Sequence, residues 1–121
     1  MKLIIAGSRD LAVSFCFMEE VLDNFKISRS EVSEIICGCA TGIDQNGAEL
    51  AYEYDIPVKK FPPNWEQYGK SAGPIRNALM AGYGDSLLLI WDGKSRGSAN
   101  MKRQMEQLNK PIYEVILKGI K

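Results

Sequence analysis

Residues 86–98 read Ser86-Leu87-Leu88-Leu89-Ile90-Trp91-Asp92-Gly93-Lys94-Ser95-Arg96-Gly97-Ser98, and this stretch decides the fold class. Its first part is a continuous apolar run, which is typical of a strand buried on both faces of a parallel sheet. The run ends in a glycine-bearing loop, and apolar residues then recur at helical spacing, at Met101, Met105 and Leu108. The stretch therefore predicts a strand, a loop and a helix, in that order.

The same strand–loop–helix unit occurs twice earlier in the chain. Leu3–Ala6 leads into Gly7-Ser8-Arg9, and Glu34–Cys37 leads into Gly38-Cys39-Ala40-Thr41-Gly42. Further strands are predicted over Pro57–Phe61 and Ile112–Leu117, and a long irregular connection over Pro62–Gly73. Strands that alternate with helices predict a single doubly wound, Rossmann-like α/β domain spanning residues 1–121. Its parallel sheet of about five strands is expected in the order 3-2-1-4-5, with helices on both faces.

Composition narrows the classes of function. The chain has 121 residues, and its 15 Lys and Arg balance its 15 Asp and Glu. A neutral chain argues against general duplex-DNA binding, which needs an excess of positive charge. The absence of histidine excludes Ser-His-Asp triads and histidine-containing zinc sites. Three cysteines without a CxxC pair, and no signal peptide or membrane-length apolar run, predict a cytoplasmic protein that does not contact a membrane.

The three glycine loops form the candidate ligand site. Because the carboxyl ends of parallel strands meet at one edge of a sheet, all three loops are expected there, beside helix N-termini that favour anions. None of the loops is a Walker A or a complete GxGxxG motif, so a P-loop ATPase and an NAD dehydrogenase are disfavoured. The candidate ligand-binding residues are Gly7, Ser8, Arg9, Gly38, Ala40, Thr41, Gly42, Asp44, Trp65, Tyr68, Lys70, Arg76, Asn77, Gly93, Ser95, Gly97 and Ser98.

Several of these residues have a structural interpretation beside the functional one. Arg76 is predicted in the first turn of its helix, where a cation opposes the helix dipole, so a ligand phosphate or a carboxylate such as Asp44 is expected beside it. Asp44 would accept a ribose hydroxyl or cap its own helix. Trp65 and Tyr68 would stack on a base or a ribose, or else seal the edge of the sheet.

Residues 65–80 carry the most specific motif, Trp-x-x-Tyr-Gly-Lys-x-Ala-Gly-x-x-Arg-Asn-x-x-Met. Together with Gly7-Ser8-Arg9, Gly38–Asp44 and Trp91–Ser98, this motif resembles the SLOG superfamily, and within it the small YspA-like branch, over nearly the whole chain. The resemblance implies a Rossmann-like fold that binds a nucleotide or a nucleotide-derived ligand. It also implies a sensor or a sequestering protein in bacterial or phage signalling and defence.

The resemblance extends to the LOG phosphoribohydrolases, which release a base from a nucleoside monophosphate and carry a catalytic glutamate after a glycine loop. That position falls on Met101 here, and a thioether cannot act as a general acid or base. The departure favours a binding protein over an enzyme, and no cofactor is expected. The enzyme alternative is a LOG-like N-glycosidase that uses Arg76 and Asp44, or Asp92 in place of the glutamate.

Two further expectations concern partners. Single-stranded nucleic-acid binding is the second alternative, but zero net charge and only two stacking aromatics, Trp65 and Tyr68, disfavour it. Met80, Met101 and Met105 are expected in the core or at a subunit interface. The helices that carry them would offer an apolar face, so a homo-oligomer is expected.

Overall fold

The apolar run that decides the fold forms a strand buried along its whole length. In the computed structural model, which describes residues 1–38 and 41–117, this strand is β4 (Ser86–Trp91). The other strands are β1 (Lys2–Gly7), β2 (Glu34–Cys37), β3 (Val58–Lys60) and β5 (Ile112–Ile116). The helices are α1 (Phe15–Asn24), α2 (Ile43–Glu53), α3 (Trp65–Tyr68), α4 (Ala72–Tyr83) and α5 (Arg96–Gln107).

The five strands form one parallel sheet in the order β3-β2-β1-β4-β5. This is the predicted order, so the predicted α/β fold is confirmed. β1 pairs with β4 from Leu3 opposite Ser86 to Gly7 opposite Ile90. The carboxyl ends of these two strands therefore lie side by side at the point where the strand order reverses, which is where open α/β sheets bind ligands.

A helix layer packs on each face of the sheet. Alternate residues of a strand point to opposite faces, so Ile5 packs with α1 and α2 while its neighbour Ile4 packs with α4 and α5. Met80, Met101 and Met105 lie in the second layer, and each is at most 1% exposed. They are core residues, so they do not supply the exposed apolar face on which the expectation of a homo-oligomer was based.

The connection between β3 and α4 differs from the prediction of an irregular loop. Asn64 caps a helical turn by accepting a hydrogen bond from the backbone N–H of Gln67 (3.1 Å), which produces α3. A 3₁₀ turn over Gly69–Ser71 then runs directly into α4. Because α4 begins at Ala72, Arg76 is its fifth residue, and the prediction that Arg76 lies in the first turn is wrong.

A lysine in the loop between α5 and β5 holds the C-terminal end of α4. The Nζ of Lys110 donates to the carbonyl oxygens of Ala81 (2.7 Å), Gly84 (2.7 Å) and Gly82 (3.3 Å). These carbonyls have no acceptor role inside the helix, and a cation at this end also complements the helix dipole. The contact fixes α4 against the loop that leads into β5.

Within the described part of the chain, no helix has the length and apolar character needed to cross a membrane.

Candidate functional site

A cavity of about 280 Å³ opens at the carboxyl ends of β1 and β4. Nine of the predicted ligand-binding residues line it: Gly7, Ser8, Arg9, Asp44, Arg76, Asn77, Ser95, Gly97 and Ser98. They come from the ends of β1 and β4, from the first turns of α2 and α5, and from α4. The structure therefore brings together residues from all three glycine-loop units and from the residue 65–80 motif.

Ser8 joins the two central strands at the edge of the cavity. Its backbone N–H donates to the carbonyl oxygen of Ile90 (3.2 Å), and its hydroxyl oxygen accepts from the backbone N–H of Asp92 (3.1 Å). Ser8 is also almost fully buried. Its backbone N–H is therefore already paired within the protein and is not available to a phosphate.

The loop between β2 and α2 packs on the loop between β1 and α1. Gly42 has φ +73°, and a Cβ added to it would lie 2.5–2.6 Å from the carbonyl oxygens of Ser8, Arg9 and Leu11. The hydroxyl of Thr41 also donates to the carbonyl of Arg9, at 3.4 Å. The glycine at position 42 thus allows two loops to approach each other closely, and neither Thr41 nor Gly42 lines the cavity.

Two charged side chains hold the Gly38 backbone at the end of β2. Asp44 Oδ2 accepts from the N–H of Gly38 (3.1 Å), and Arg76 Nη1 donates to the Gly38 carbonyl oxygen. Asp44 is only 5% exposed, and the N-cap of α2 is Gly42, without a side-chain cap. The Asp44 carboxylate therefore bonds the end of β2 that precedes the loop, and the interpretation of Asp44 as the cap of its own helix stays a prediction.

The buried Asn77 side chain connects Arg76 to α5. Its Oδ1 accepts from Arg76 Nε (3.0 Å), while its Nδ2 donates to Asn100 Oδ1 (3.0 Å) and to the Gly97 carbonyl (3.3 Å). The guanidinium of Arg76 is thus fixed at two nitrogens, by Asn77 and by Gly38. This arrangement orients Arg76 and positions the first turn of α5 beside it.

Asp92 forms a tight turn between β4 and α5. Its Oδ1 accepts from the backbone N–H groups of Lys94 (2.8 Å) and Ser95 (2.9 Å). These two N–H groups, with a smaller contribution from the Ser8 hydroxyl, hold the pKa of the Asp92 carboxyl below its ordinary value of 3.8. Asp92 is therefore an anion at neutral pH, and it lines the cavity.

The N-terminus of α5 presents unpaired donors to the cavity. The first intrahelical bond runs from Ala99 N–H to Ser95 O (3.1 Å), so the three preceding N–H groups have no acceptor inside the helix. Ser95 Oγ is buried and has no hydrogen-bond partner among residues 1–38 and 41–117. The first turn of α5 has no acidic residue and begins with Arg96, whereas the first turn of α2 carries Asp44. Of these two helix N-termini at the cavity, that of α5 has no acidic residue in its own first turn to complement the helix dipole.

Charge is distributed unevenly over the cavity. The inner wall carries two carboxylates, of Asp44 and Asp92, and one guanidinium, of Arg76. The exposed rim carries two cations and one anion, which are Arg9, Arg96 and Asp10. The floor is apolar and includes Ala6, Met80 and Met101. The arrangement is suited to hold an anion near the start of α5 and a neutral, hydrogen-bonding group further in.

Some predicted ligand-binding residues lie outside the cavity lining. Trp65 and Tyr68, on α3, are 51% and 42% exposed, and Trp65 lines a separate groove with Pro62 and Pro63. Lys70 is exposed in the 3₁₀ turn that follows α3. Gly38, Thr41, Gly42 and Gly93 are also not among the lining residues, and Ala40 lies outside the described residues.

Six lining residues were absent from the predicted set: Ala6, Asp10, Met80, Asp92, Arg96 and Met101. Ala6, Asp10, Asp92 and Arg96 directly adjoin predicted positions at the ends of β1 and β4. The dipole argument made for Arg76 applies instead to Arg96, which is the first residue of α5. Met80 and Met101 lie on the inward faces of their helices. The helical spacing of apolar residues in the sequence is the pattern that could have indicated their position at the cavity.

Comparisons of the chain with protein-family models, with curated proteins and with solved structures found no match.

Proposed function

We propose that this chain reversibly binds a nucleotide or a nucleotide-derived small ligand in the cavity between β1 and β4. The observation that carries the proposal is the start of α5, where the buried Ser95 Oγ has no partner among the described residues and lines the cavity. A buried hydroxyl without a partner is costly in a folded protein, and rotation of the Ser95 side chain towards the cavity would bring this hydroxyl to a ligand oxygen. The phosphate of the ligand is therefore assigned to this end of α5.

Three features support an anion at this position. The first N–H groups of α5 point out of the helix end without intrahelical acceptors. Arg96 adds a positive charge at a position that is unfavourable for helix stability alone. Arg76 lines the same cavity and is held in a fixed orientation by Asn77. Helix donors and two guanidinium groups around one cavity are a typical phosphate environment.

The remainder of the cavity suits the organic part of a small nucleotide-derived molecule. Its volume of about 280 Å³ is at the lower end of the range for ligand pockets. The apolar floor at Ala6 and Met101 would contact a ring, and the neighbouring carboxylates would accept hydroxyl hydrogen bonds. The resemblance to the SLOG superfamily supports the same ligand class, and a role as a sensor or a sequestering protein is proposed with it.

The arrangement of two carboxylates also supports the alternative of N-glycoside hydrolysis. Asp44 and Asp92 both line the cavity, near Arg76. Met101, at the position that the resemblance aligns with the catalytic glutamate, is buried there too and has no titratable group. Binding is preferred because the resemblance aligns the catalytic glutamate with Met101, whose thioether cannot act as a general acid or base. Purified protein incubated with nucleoside monophosphates should bind them without releasing free base, and multiple turnovers would establish the alternative.

Native mass spectrometry of the purified protein tests the binding proposal directly. We expect a second species whose added mass equals that of a phosphate-bearing small molecule. Calorimetry with that molecule should then show at least a tenfold loss of affinity for Arg96→Gln. The matched control is Arg103→Gln, an exposed arginine in the second half of the same helix, which should bind within twofold of the unchanged chain. Equal affinity of both variants would contradict the assignment of the anion to the start of α5.

A further inference from the structure

The outer face of α2 forms an open groove with the start of α1, on the side of the sheet away from α4 and α5. The groove has a volume of about 710 Å³ and is lined by Phe15, Gln45, Ala48, Glu49, Tyr52 and Glu53. Tyr52 is 81% exposed, which makes it the most exposed large hydrophobic residue among residues 1–38 and 41–117. Exposed aromatic residues beside a groove are typical of protein interfaces.

Contacts within the protein hold one wall of this groove in place. The Phe15 ring stacks on the Tyr54 ring, with 5.8 Å between the ring centroids. The Tyr54 hydroxyl donates to Glu19 Oε2, and the Arg29 guanidinium lies 5.5 Å from the centroid of the same ring. Phe15 is therefore supported before a partner binds, which reduces the entropic cost of association.

The two helices that border the groove carry only negative charge. Neither helix contains a lysine or an arginine, and their acidic residues are Glu19, Glu20 and Asp23 in α1 and Asp44, Glu49 and Glu53 in α2. Arg29 forms ion pairs with Glu19 and Asp23. Glu49 and Glu53 form no ion pair within the described part of the chain, so their charges are left for a partner.

The positions of Glu49 and Glu53 are unfavourable for α2 alone. The two carboxylates are four residues apart on one face of the helix, where like charges repel. Glu53 is also the last residue of α2, and a negative charge at a helix C-terminus opposes the helix dipole. A positive group bound beside both carboxylates would reduce both penalties. A cation is therefore the group that this groove favours.

The sign of the charge decides the class of partner. Nucleic acids and the surfaces of anionic membranes are themselves negative and would be repelled. A second copy that presented the same face would bring Glu49 and Glu53 of both chains together. A basic protein segment fits, because an arginine or a lysine can lie over the exposed Tyr52 ring while it pairs with a carboxylate. Apolar side chains of the same segment would contact Phe15 and Ala48.

We propose that the groove between the outer face of α2 and Phe15 docks a segment of a partner protein that carries arginine or lysine beside apolar residues. The groove shares no residue with the cavity between β1 and β4. The inference therefore goes beyond the proposed function and does not depend on it.

NMR titration with a defined peptide tests this docking surface. The probe is an acetylated and amidated peptide of four Ala-Arg-Leu repeats. Its matched control carries citrulline in place of arginine, which keeps the shape of the side chain and removes the charge. The arginine peptide should shift the amide signals of Gln45, Ala48 and Tyr52 in a saturable manner. The citrulline peptide should bind at least tenfold more weakly.

Two variants of the chain separate the ring from the carboxylates. Tyr52→Ala and the double variant Glu49→Gln/Glu53→Gln change only exposed side chains, so both should fold as the unchanged chain does. Each should lower the affinity for the arginine peptide at least fivefold. The matched control is Glu20→Gln/Glu106→Gln, which removes two charges from exposed glutamates outside the groove and should stay within twofold.

The outcomes that would overturn the proposal are specific. Absence of saturable shifts with the arginine peptide, or shifts confined to other elements, would show that the groove does not dock a basic segment. If Tyr52→Ala has no effect, or if the control double variant weakens binding as much as Glu49→Gln/Glu53→Gln, net charge alone holds the peptide. Sedimentation velocity of the unchanged chain tests the remaining occupant. A concentration-dependent dimer that Glu49→Gln/Glu53→Gln abolishes would show that the groove takes a basic face of a second copy instead of a separate partner.

Discussion

The two hydrogen bonds of the Arg76 guanidinium predict that this residue stabilises the fold as well as contacting the ligand. Arg76→Ala removes the bond from Nη1 to the Gly38 carbonyl and the bond from Nε to Asn77 Oδ1. Hydrogen bonds from a charged donor contribute about 1.5–3 kcal/mol each. Because Arg76 is half-buried, we take the lower end of this range, and we expect a loss of about 3 kcal/mol in the free energy of unfolding.

Urea denaturation at neutral pH measures this loss, and thermal melting should show a decrease of about 10 °C for a chain of this size. Arg76→Lys keeps the charge, but a single ammonium group does not reproduce the geometry of the two guanidinium nitrogens. The Arg76→Lys variant should therefore lose about half as much free energy of unfolding as Arg76→Ala. Arg103→Ala is the control for removing an exposed arginine, and it should stay within about 0.5 kcal/mol of the unchanged chain. An Arg76→Ala variant that is as stable as this control would refute the reasoning.

Three other substitutions test separate parts of the structure. Lys110→Met removes the ammonium group that bonds three carbonyls at the end of α4, and urea denaturation should show a loss of about 1–2 kcal/mol; an unchanged midpoint would mean that water replaces the lysine without cost. Gly42→Ala places a Cβ against three carbonyl oxygens at a residue with φ +73°, so we expect the free energy of unfolding to fall by about 3 kcal/mol or more in the same assay. Full stability of this variant would show that the loop before α2 does not pack on the loop after β1 as described. The folded-state pKa of Asp92 is below its ordinary value, so its stabilisation is complete above about pH 3.8 and is lost as the pH falls through the folded-state pKa. Asp92→Asn should therefore flatten the acid side of the stability–pH curve, and an unaltered slope would contradict the cause assigned to that pKa.

The sheet and its order follow from the sequence because they depend on short patterns. The apolar run at Leu87–Trp91 permits little besides a buried strand, and three strand–loop–helix units require parallel crossovers. The start of α4 was not predicted correctly because Gly73 and Pro74 are typical of a helix N-terminus. The 3₁₀ turn before Ala72 already provides helical backbone, so the helix begins earlier.

The cavity lies at the edge of the sheet where the sequence predicts the ligand site, but the contacts that the glycine loops make were not predicted. All three glycine loops carry the residue types of a phosphate site, and composition cannot show which backbone N–H groups are already bonded. Ser8 donates its N–H to Ile90, and Gly42 packs against another loop. These long-range contacts occupy the loops after β1 and β2, and the start of α5 is left with donors that have no acceptor inside its helix. A pattern read along the chain contains no such contacts.

The pairing of Leu3 with Ser86 has a consequence for synthesis of the chain on the ribosome. β1 is made first, but the strand that flanks it opposite β2 is β4, which emerges only after most of the chain has been translated. A nascent chain that ends at Asp85 still lacks β4, so the edge of β1 that β4 covers in the folded domain is unpaired. Such an edge pairs readily with other strands, and translation at roughly 5–20 residues per second leaves about 4–17 s between the synthesis of β1 and that of β4. Chaperones that bind extended apolar segments would act on β1 during this interval, and the open edge then passes to β4 until β5 pairs with it.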